Sequence, residues 1–226
     1  PVLVSYERLS YFETGSSLWH WHPEVELTLV MEGEIAYQVN DSVYLLKEGE
    51  GLFCNSNMLH TGRGDKARDC SYLSVTFHPR FLYGYSSSVI QEKYMNHILK
   101  NPALPSIHLK PEITWQKRIL EGIEKIRLLD RDAPSSAELQ IQIALLEIWK
   151  EIFEHVEVEE ESGGEQARDM DRIRTIMEYI QKHYAEKITL EELAGQIHLC
   201  RSESCRMFKR YMNETMSEYL LNYRIE

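Results

Sequence analysis

Three histidines and a glutamate have the residue types and the spacing of a metal site. His20, His22 and Glu26 are separated by even numbers of residues, so on a regular β-strand their side chains point to the same face. His60 lies further along the chain, after two glycines, where a later strand or loop can close over the first three. Three imidazoles and one carboxylate suit Zn²⁺, Fe²⁺, Mn²⁺ or Ni²⁺. The sequence requires no cofactor, but these four residues form a candidate site for such a metal.

The spacing of this site resembles the first motif of the cupin family, and residues 49–60 resemble a degenerate second motif. In cupins the four equivalent residues hold a metal, and the resemblance implies an antiparallel barrel around them. Trp19 and Trp21 alternate with the histidines, which is typical of a pocket rim or of the opposite face of one strand. Asn55 and Asn57 stand where the second motif usually has Pro and Gly, so an organic-ligand pocket is an alternative to a metal.

The N-terminal part of the chain has the pattern of short antiparallel strands. Residues 25–31 are β-branched and apolar, and in residues 35–39 the larger apolar side chains occupy every second position. Asn40 and Asp41 join this run to residues 42–46 and predict a tight hairpin. Many short strands with frequent turn residues indicate a sandwich or barrel. We therefore expect an α+β protein. Residues 1–110 would form an antiparallel cupin-like β-barrel that senses a ligand.

Helical periodicity replaces the strand pattern after residue 88. Amphipathic stripes cover residues 112–129 and 137–155, and the sequence Ala-Pro-Ser-Ser separates them, which predicts an antiparallel helix pair. Their apolar faces can cover the barrel, bury a partner chain or do both, and we predict a dimerisation segment over residues 111–156. Residues 157–168 are acidic and contain Gly-Gly, so we predict a linker there.

Residues 169–226 predict a partial DNA-binding domain that contains a helix-turn-helix. Thr189 and Glu192 have the spacing of a capping box, and the helix that they open is followed by a three-residue turn. The next predicted helix spans residues 201–212 and ends at Asn213, a residue that tolerates the left-handed conformation. This second helix is basic, as a DNA-reading helix requires. Its cations are Arg201, Arg206, Lys209 and Arg210, against Glu203 alone.

This region resembles the first half of the AraC-family DNA-binding domain. The matching segments are Ile-Thr-Leu-Glu-Glu-Leu-Ala at 188–194, Leu199, Ser202, Arg206 with Met-Phe-Lys at 207–209, and Ser-Glu-Tyr-Leu through Tyr-Arg-Ile at 217–225. The family carries a second helix-turn-helix after this point, which this sequence, ending at Glu226, does not contain.

The resemblance implies roles for the residues of the second helix. Ser202, Cys205 and Arg206 would face the major groove, with Arg206 as the best candidate for a bidentate contact to guanine. Arg201, Lys209 and Arg210 would lie near phosphates. Two residues depart from the family pattern: Cys200 replaces the usual capping Ser, and Ser204 replaces a buried Leu.

These observations favour a ligand-responsive transcription regulator over two alternatives. The first alternative is a metal-dependent cupin enzyme, an oxygenase or isomerase, and the second is a structural dimeric scaffold. A free-standing enzyme has no need of a helix-turn-helix, so we expect no enzymatic activity. The expected partners are double-stranded promoter or operator DNA, a small-molecule effector and a second copy of the chain.

The composition agrees with a cytoplasmic regulator. The chain of 226 residues is 43% hydrophobic and carries a net charge of −11, which argues against nonspecific nucleic-acid binding by the whole surface. The 4 cysteines show no paired metal spacing, so we expect reduced thiols. No apolar run is long enough for a membrane helix, and the N-terminus lacks the pattern of a signal peptide.

Overall fold

The structure, a computed structural model, describes residues 2–12, 15–64, 69–101, 103–156 and 164–225. The strands of its N-terminal half are β1 (Val2–Arg8), β2 (Val25–Glu32), β3 (Glu34–Val39), β4 (Ser42–Lys47), β5 (Gly51–Cys54), β6 (His60–Arg63), β7 (Ser71–Phe77) and β8 (Ser106–Leu109).

Within the described residues, these strands form two antiparallel sheets. One sheet has the order β1-β7-β2-β5-β8 and the other has the order β4-β3-β6. The predicted hairpin at residues 40–41 joins β3 to β4, with Asn40 in the left-handed region at φ 51°. Single bridges from Ser16 to Arg63 and from His20 to His60 place residues 16–20 along the outer side of β6. The predicted antiparallel, cupin-like architecture is therefore confirmed.

Strand β8 was not recognised from the sequence, which predicts only helices after residue 88. It has four residues, and Ile107 lies opposite Phe53 of β5. A run this short has no distinctive periodicity, and its pairing partner is more than 50 residues away, so only the assembled sheet defines it. Short helices precede it: α1 (Arg80–Tyr83), a π-helix at Ile90–Met95 and α2 (Asn96–Leu99).

Helices α3 (Thr114–Asp132) and α4 (Ala137–His155) form the predicted antiparallel pair and cover the five-stranded sheet. Ion pairs join Arg118 to Glu151 at 2.7 Å and Lys125 to Glu147 at 3.5 Å. Gly122 lets the two helices approach closely, because an added Cβ would lie 2.8 Å from a side-chain carbon of α4. The buried residues of both stripes pack against β2, β5 and β7. The apolar stripes of α3 and α4 are therefore buried against the barrel of the same chain.

The C-terminal helices are α5 (Gly164–His183), α6 (Leu190–Gln196), α7 (Arg201–Met212) and α8 (Met216–Ile225). Residues 157–163 of the predicted linker lie outside the described residues, and the backbone is helical from Gly164. The capping box at α6 is present, since the Thr189 amide donates to Glu192 at 2.7 Å and the Glu192 amide donates to Thr189 at 3.2 Å. Asn213 ends α7 at φ 54°, as predicted.

Ser204 shows how α7 accommodates a departure from its family pattern. The side chain is fully buried, and its hydroxyl donates to the carbonyl of Cys200 at 2.9 Å. A buried hydroxyl with a hydrogen-bond partner avoids most of the desolvation penalty, so the position remains part of the packed side of the helix.

Among the described residues, no helix combines the length and the apolar character that crossing a bilayer requires.

Candidate functional site: a histidine-lined cavity beside the helix-turn-helix unit

The five-stranded sheet separates two environments because its side chains alternate. The odd-numbered residues of β2 and β7, among them Leu27 and Val75, face the helices α3 and α4. Even-numbered residues of the same strands, among them Glu26 and Ser74, face a cavity of about 410 Å³. This volume lies within the roughly 300–1,000 Å³ range of small-molecule sites. The residues that β1 and β7 contribute to its wall are Leu3, Ser5, Glu7, Tyr72, Ser74 and Thr76.

The structure brings together the four metal-ligand candidates of the sequence. One donor atom from each of His20, His22, Glu26 and His60 lies within 4.8 Å of the others. The same carboxylate oxygen, Oε2 of Glu26, lies 3.5 Å from Nε2 of His22 and 3.7 Å from Nε2 of His60. We call these four residues the His–Glu cluster.

Main-chain contacts orient the three imidazoles. The amides and carbonyls of His20 and His60 exchange hydrogen bonds of 3.1 and 2.9 Å, which place the two rings 4.1 Å apart, centroid to centroid. Each Nδ1 contacts a main-chain carbonyl two residues away, at 2.8 Å for His20 and His60 and at 3.2 Å for His22. Such contacts favour a proton on Nδ1 and leave Nε2 as the electron-pair donor.

Tyr37 and Thr28 orient the carboxylate of Glu26. The Tyr37 hydroxyl donates to Oε1 at 2.6 Å and the Thr28 hydroxyl donates to the same oxygen at 3.3 Å. Oε2 is thereby left toward the histidines. Burial alone would raise the pKa of Glu26, but the nearby imidazoles of His22 and His60, at 3.5 and 3.7 Å, and the hydrogen bond from Tyr37 outweigh it and hold this pKa well below its usual range.

The cluster fits a divalent metal on its own chemistry. Burial, together with the nearby His60, lowers the pKa of His20 to about 4, so the ring is neutral at neutral pH, as a metal ligand must be. Within the described part of the chain, Nε2 of His60 is buried and has no hydrogen-bond partner. An unpaired buried nitrogen of this kind is costly, and a bound metal would satisfy it.

The segment 18–22 faces two parts of the molecule at once. His20 and His22 face the cavity. Trp19, which is 2% exposed, packs with Leu59 against the C-terminal helices α5 to α8, which we call the helical unit. Trp21 packs against the same cluster. The two tryptophans therefore lie on the face of the segment opposite to the histidines. The buried residues of the helical unit in this cluster are Met170, Ile173, Ile176, Met177, Ile180, Leu193, Ile197, Met207, Phe208, Tyr211, Met212, Met216 and Tyr219.

Polar contacts complete the interface between the barrel and the helical unit. The Gln38 side chain donates to the Tyr211 carbonyl at 3.1 Å across 173 positions of sequence. The Arg174 guanidinium donates to the Asn57 carbonyl. Glu214 is also buried, and burial raises its pKa to about 7 although Arg63 of the barrel opposes this shift. The sequence does not predict these contacts, because no local pattern marks a contact between distant segments.

On α7, the residues predicted to contact DNA lie at the surface. Arg201, Ser202, Arg206, Lys209 and Arg210 are exposed, and Cys205 is half-buried. Arg201 is already paired with Glu191 at 2.8 Å. Lys209 donates to the carbonyl of Asn213 at 2.9 Å.

Arg206 differs from these two cations. No hydrogen-bond or ion-pair partner is found for it among the described residues, although its charge lowers the pKa of Glu203 after the larger effect of the Cys200 contacts. Arg210 likewise has no hydrogen-bond or ion-pair partner among the described residues, but its guanidinium lies over the Tyr211 ring, 5.3 Å from the ring centroid.

A cupin-like barrel with a small-molecule cavity, joined to a helix-turn-helix unit, defines a ligand-binding transcription regulator. The family model described as the AraC-like ligand binding domain matches residues 11–148. The HTH-type transcriptional regulator YdeC of Bacillus subtilis is 33% identical over 207 residues, which cover 92% of this chain and 70% of the relative. The chain therefore belongs to the AraC-like family of transcription regulators.

Two further proteins are similar to this chain. The melibiose operon regulatory protein of Escherichia coli K12 is 23% identical over 214 residues, covering 91% of this chain and 68% of the relative. Among solved structures, unsaturated fatty acid bound wild-type ToxT from Vibrio cholerae is 12% identical with a TM-score of 0.46, and the match covers 97% of this chain and 95% of that one.

Proposed function

We propose that this protein is a transcription regulator whose DNA-binding unit responds to a small molecule held in the barrel cavity. The observation that carries the proposal is the alternation of residues 19–22. His20 and His22 contact the cavity, and Trp19 and Trp21 contact the helical unit. A ligand that shifts the histidines shifts the same short backbone segment that seats the tryptophans.

Coupling of this kind requires that the ligand bind the docked and released arrangements of the helical unit with different affinities. The interface between the barrel and the helical unit is suited to a change between these two arrangements. Trp19 Nε1 is buried there without a hydrogen-bond partner among the described residues, which weakens the docked arrangement by a penalty on the order of 1–3 kcal/mol. A modest difference in ligand affinity is then sufficient to shift the balance.

The DNA contacts are assigned to α7. Arg206 would form the bidentate contact to guanine, with Ser202 and Cys205 on the same groove-facing side. Arg201, Lys209 and Arg210 would lie beside phosphates. This partner places the protein in the cytoplasm, where bacterial DNA is found.

A divalent metal would be held by the His–Glu cluster, with His20, His22, Glu26 and His60 as its ligands. When bound, such a metal supplies a Lewis-acidic centre that an oxygen atom of an effector can contact. We propose that this centre serves ligand binding and not turnover. Elemental analysis of chelator-free protein tests the site, and metal that survives the double change His20→Ala and His22→Ala excludes it. The matched control is the double change His97→Ala and His183→Ala.

A metal-dependent enzyme is the second candidate, because the donor set is complete. Stoichiometric iron together with turnover of a small acid or sugar would support it. The helix-turn-helix unit and its packing against the same segment as the cluster favour the regulator.

A homodimer is the proposed assembly, through an exposed apolar stripe on α4. Leu139, Ile143 and Leu146 recur at helical spacing and are 61%, 45% and 39% exposed. The other side of α4 is buried against the barrel, so this stripe is the side left for a second copy. Contiguous exposed apolar residues of this kind mark interaction sites.

Selection of binding sites from random-sequence duplex DNA, carried out with the chain of 226 residues, tests the function. We expect enrichment of a short motif with an invariant guanine. Fluorescence anisotropy on the enriched duplex, with and without an effector, then measures the coupling. A pool that remains random after repeated rounds would contradict DNA recognition by this chain.

A further inference from the structure

The turn between α7 and α8 docks on the outer face of the three-stranded sheet. Gln38 of β3 donates to the Tyr211 carbonyl, close to the end of α7, at 3.1 Å. In the pairing of β3 with β6, Arg63 lies opposite Ala36, two residues before Gln38. Because side chains alternate along a strand, Gln38 and Arg63 share the outer face, whereas Tyr37 lines the cavity on the inner one. The sheet face that holds the end of α7 therefore also carries a cation.

Glu214 lies in this turn, three residues after Tyr211, and is only 8% exposed. Its carboxyl accepts a hydrogen bond from the Asn222 side chain of α8 at 3.1 Å. Within the described part of the chain, no ion pair joins it to Arg63, which interacts with it from the barrel at longer range. Docking thus removes a carboxyl group from water and supplies one neutral donor, which penalises its charged form.

Charges from three elements surround Glu214. Arg63 of β6 and Lys209 of α7 favour the carboxylate, and Glu218 of α8 disfavours it. Lys209 lies 3.9 Å from Glu218, so its charge is shared between two carboxylates. The Tyr219 hydroxyl of α8 also interacts with Glu214. The effect of burial exceeds that of the two cations, and it raises the pKa of Glu214 to about 7.

Release of the helical unit from the barrel would return this carboxyl to water, where its pKa is 4.5. Between pH 4.5 and pH 7 the docked arrangement therefore binds the proton more strongly than the released arrangement does. The contribution to docking is complete below this range, declines as the pH rises through it, and is lost above it.

We propose that a proton on the Glu214 carboxyl holds the helical unit on the barrel, and that loss of this proton toward neutral pH releases the unit. The inference rests on the proposed regulator function, because it assigns a second input to the same docking equilibrium. The proton acts at the turn between α7 and α8, whereas the cavity ligand acts through residues 19–22. The two inputs are therefore separable.

Hydrogen exchange at the Trp19 indole measures release, because its Nε1 is buried at this interface without a hydrogen-bond partner among the described residues. NMR follows the indole resonances of the ¹⁵N-labelled full chain between pH 5 and pH 8, in chelator and without DNA or effector. At each pH, the exchange rate of the native chain is divided by that of Glu214→Gln, which cancels the intrinsic pH dependence of exchange. We expect this ratio to rise roughly tenfold or more across the range. A constant ratio would overturn the proposal.

Two controls separate release of the helical unit from other effects. Glu178→Gln removes an exposed carboxylate of α5 and should behave like the native chain. The Trp149 indole donates to the Tyr94 carbonyl at 3.0 Å, away from the interface, and should exchange more slowly than Trp19 at pH 8. Equal rates with the same pH dependence at both indoles would show that the unit leaves the barrel only when the whole chain unfolds, and would also overturn the proposal.

Arg63→Gln gives a second test, which retains Glu214. Arg63 opposes the upward shift of the pKa of Glu214, so without it the docked turn should keep its proton to higher pH. Trp19 exchange, divided here by the exchange rate of free tryptophan, should level off at a higher pH in Arg63→Gln than in the native chain. A plateau at the same or a lower pH would contradict the role of the proton on Glu214.

This readout is independent of DNA and of the cavity ligand. If exchange at Trp19 does not depend on Glu214, selection of a DNA motif by the same preparation would leave the regulator function intact. A DNA pool that remains random, with proton-dependent exchange retained, would instead contradict the regulator function and leave the proton-dependent docking standing.

Discussion

Tyr37 donates a hydrogen bond of 2.6 Å to Oε1 of Glu26, and this contact determines which oxygen of the carboxylate faces the histidines. The two residues lie on neighbouring β-strands in the sequence but in different sheets. Tyr37 thus links the sheets at the cavity and orients a residue of the His–Glu cluster without belonging to that cluster.

Removal of this hydroxyl should weaken metal binding. In Tyr37→Phe, Oε1 of Glu26 keeps only the longer contact from Thr28, and loss of a partner that orients a ligand typically lowers metal affinity roughly 10–100-fold. Competition for Zn²⁺ against a chromophoric chelator measures the effect. Tyr44→Phe is the matched control, because the Tyr44 hydroxyl contacts Ser106 instead of the cluster. Equal affinity in Tyr37→Phe and the native chain would show that Glu26 needs no such support.

Arg206 and Arg201 should differ in their contribution to DNA binding although both are exposed arginines of α7. Arg201 is paired with Glu191, so it is partly neutralised before DNA arrives. We expect Arg206→Ala to cost about 1–3 kcal/mol and to relax specificity at one base pair. Arg201→Ala should weaken binding less and equally for all sequences. Anisotropy titrations on the selected duplex and on single-base variants measure both effects, and the reverse order would mean that Arg201 is the base-reading residue.

A charge within the exposed stripe of α4 should dissociate the dimer. Ile143→Glu places a carboxylate in the centre of the stripe, where a second copy would have to desolvate it. The side chain is exposed in the single chain, so circular dichroism and thermal unfolding of the monomer should change little. Leu45→Glu, at an exposed leucine of β4, is the control. Sedimentation equilibrium at tens of micromolar should show a monomer for Ile143→Glu and a dimer for the control. A monomeric native chain at that concentration would count against the assembly itself.

The buried carboxyl of Glu214 should make the fold less stable as the pH rises. Its pKa is about 7 in the folded chain, against an ordinary value of 4.5. Between these values the folded chain retains the proton more strongly than the unfolded chain does. The stabilising contribution is therefore complete below pH 4.5, declines as the pH rises, and is lost above pH 7.

Glu214→Gln isolates this contribution, because the amide oxygen can still accept from Asn222. One pKa unit corresponds to about 1.36 kcal/mol, and partial access of water to the interface reduces the full effect. We expect Glu214→Gln to be more stable than the native chain by about 1–2 kcal/mol at pH 8, and nearly equal to it at pH 5. Urea unfolding at both pH values measures the difference, with Glu178→Gln on the exposed side of α5 as the control. A constant difference across this range would assign the effect to packing.

Much of the fold follows from local patterns that the sequence displays. Alternation around Ile35 and Tyr37 predicts a strand, Asn40 and Asp41 predict its hairpin, and the capping box at Thr189 predicts the start of α6. The spacing of His20, His22 and Glu26 also predicts one shared face, and the three side chains do meet, but only Glu26 lies on a strand; His20 and His22 lie in the irregular segment before β2. These features depend on side-chain direction in a strand or on hydrogen bonds within a few residues, and neighbouring positions in the chain are sufficient to specify them.

Only the tertiary structure decides which part of the molecule each helix side or strand face contacts. Periodicity predicts that α3 and α4 each have an apolar side, but only the assembled barrel shows that this side is buried internally and that Leu139, Ile143 and Leu146 remain exposed. Strand β8, the wall formed by Glu7 and Tyr72, and the contact between Gln38 and Tyr211 all join segments far apart in sequence. The sequence determines the character of each surface, whereas long-range strand pairing and helix packing determine which surfaces meet, because those contacts depend on the simultaneous arrangement of the whole chain.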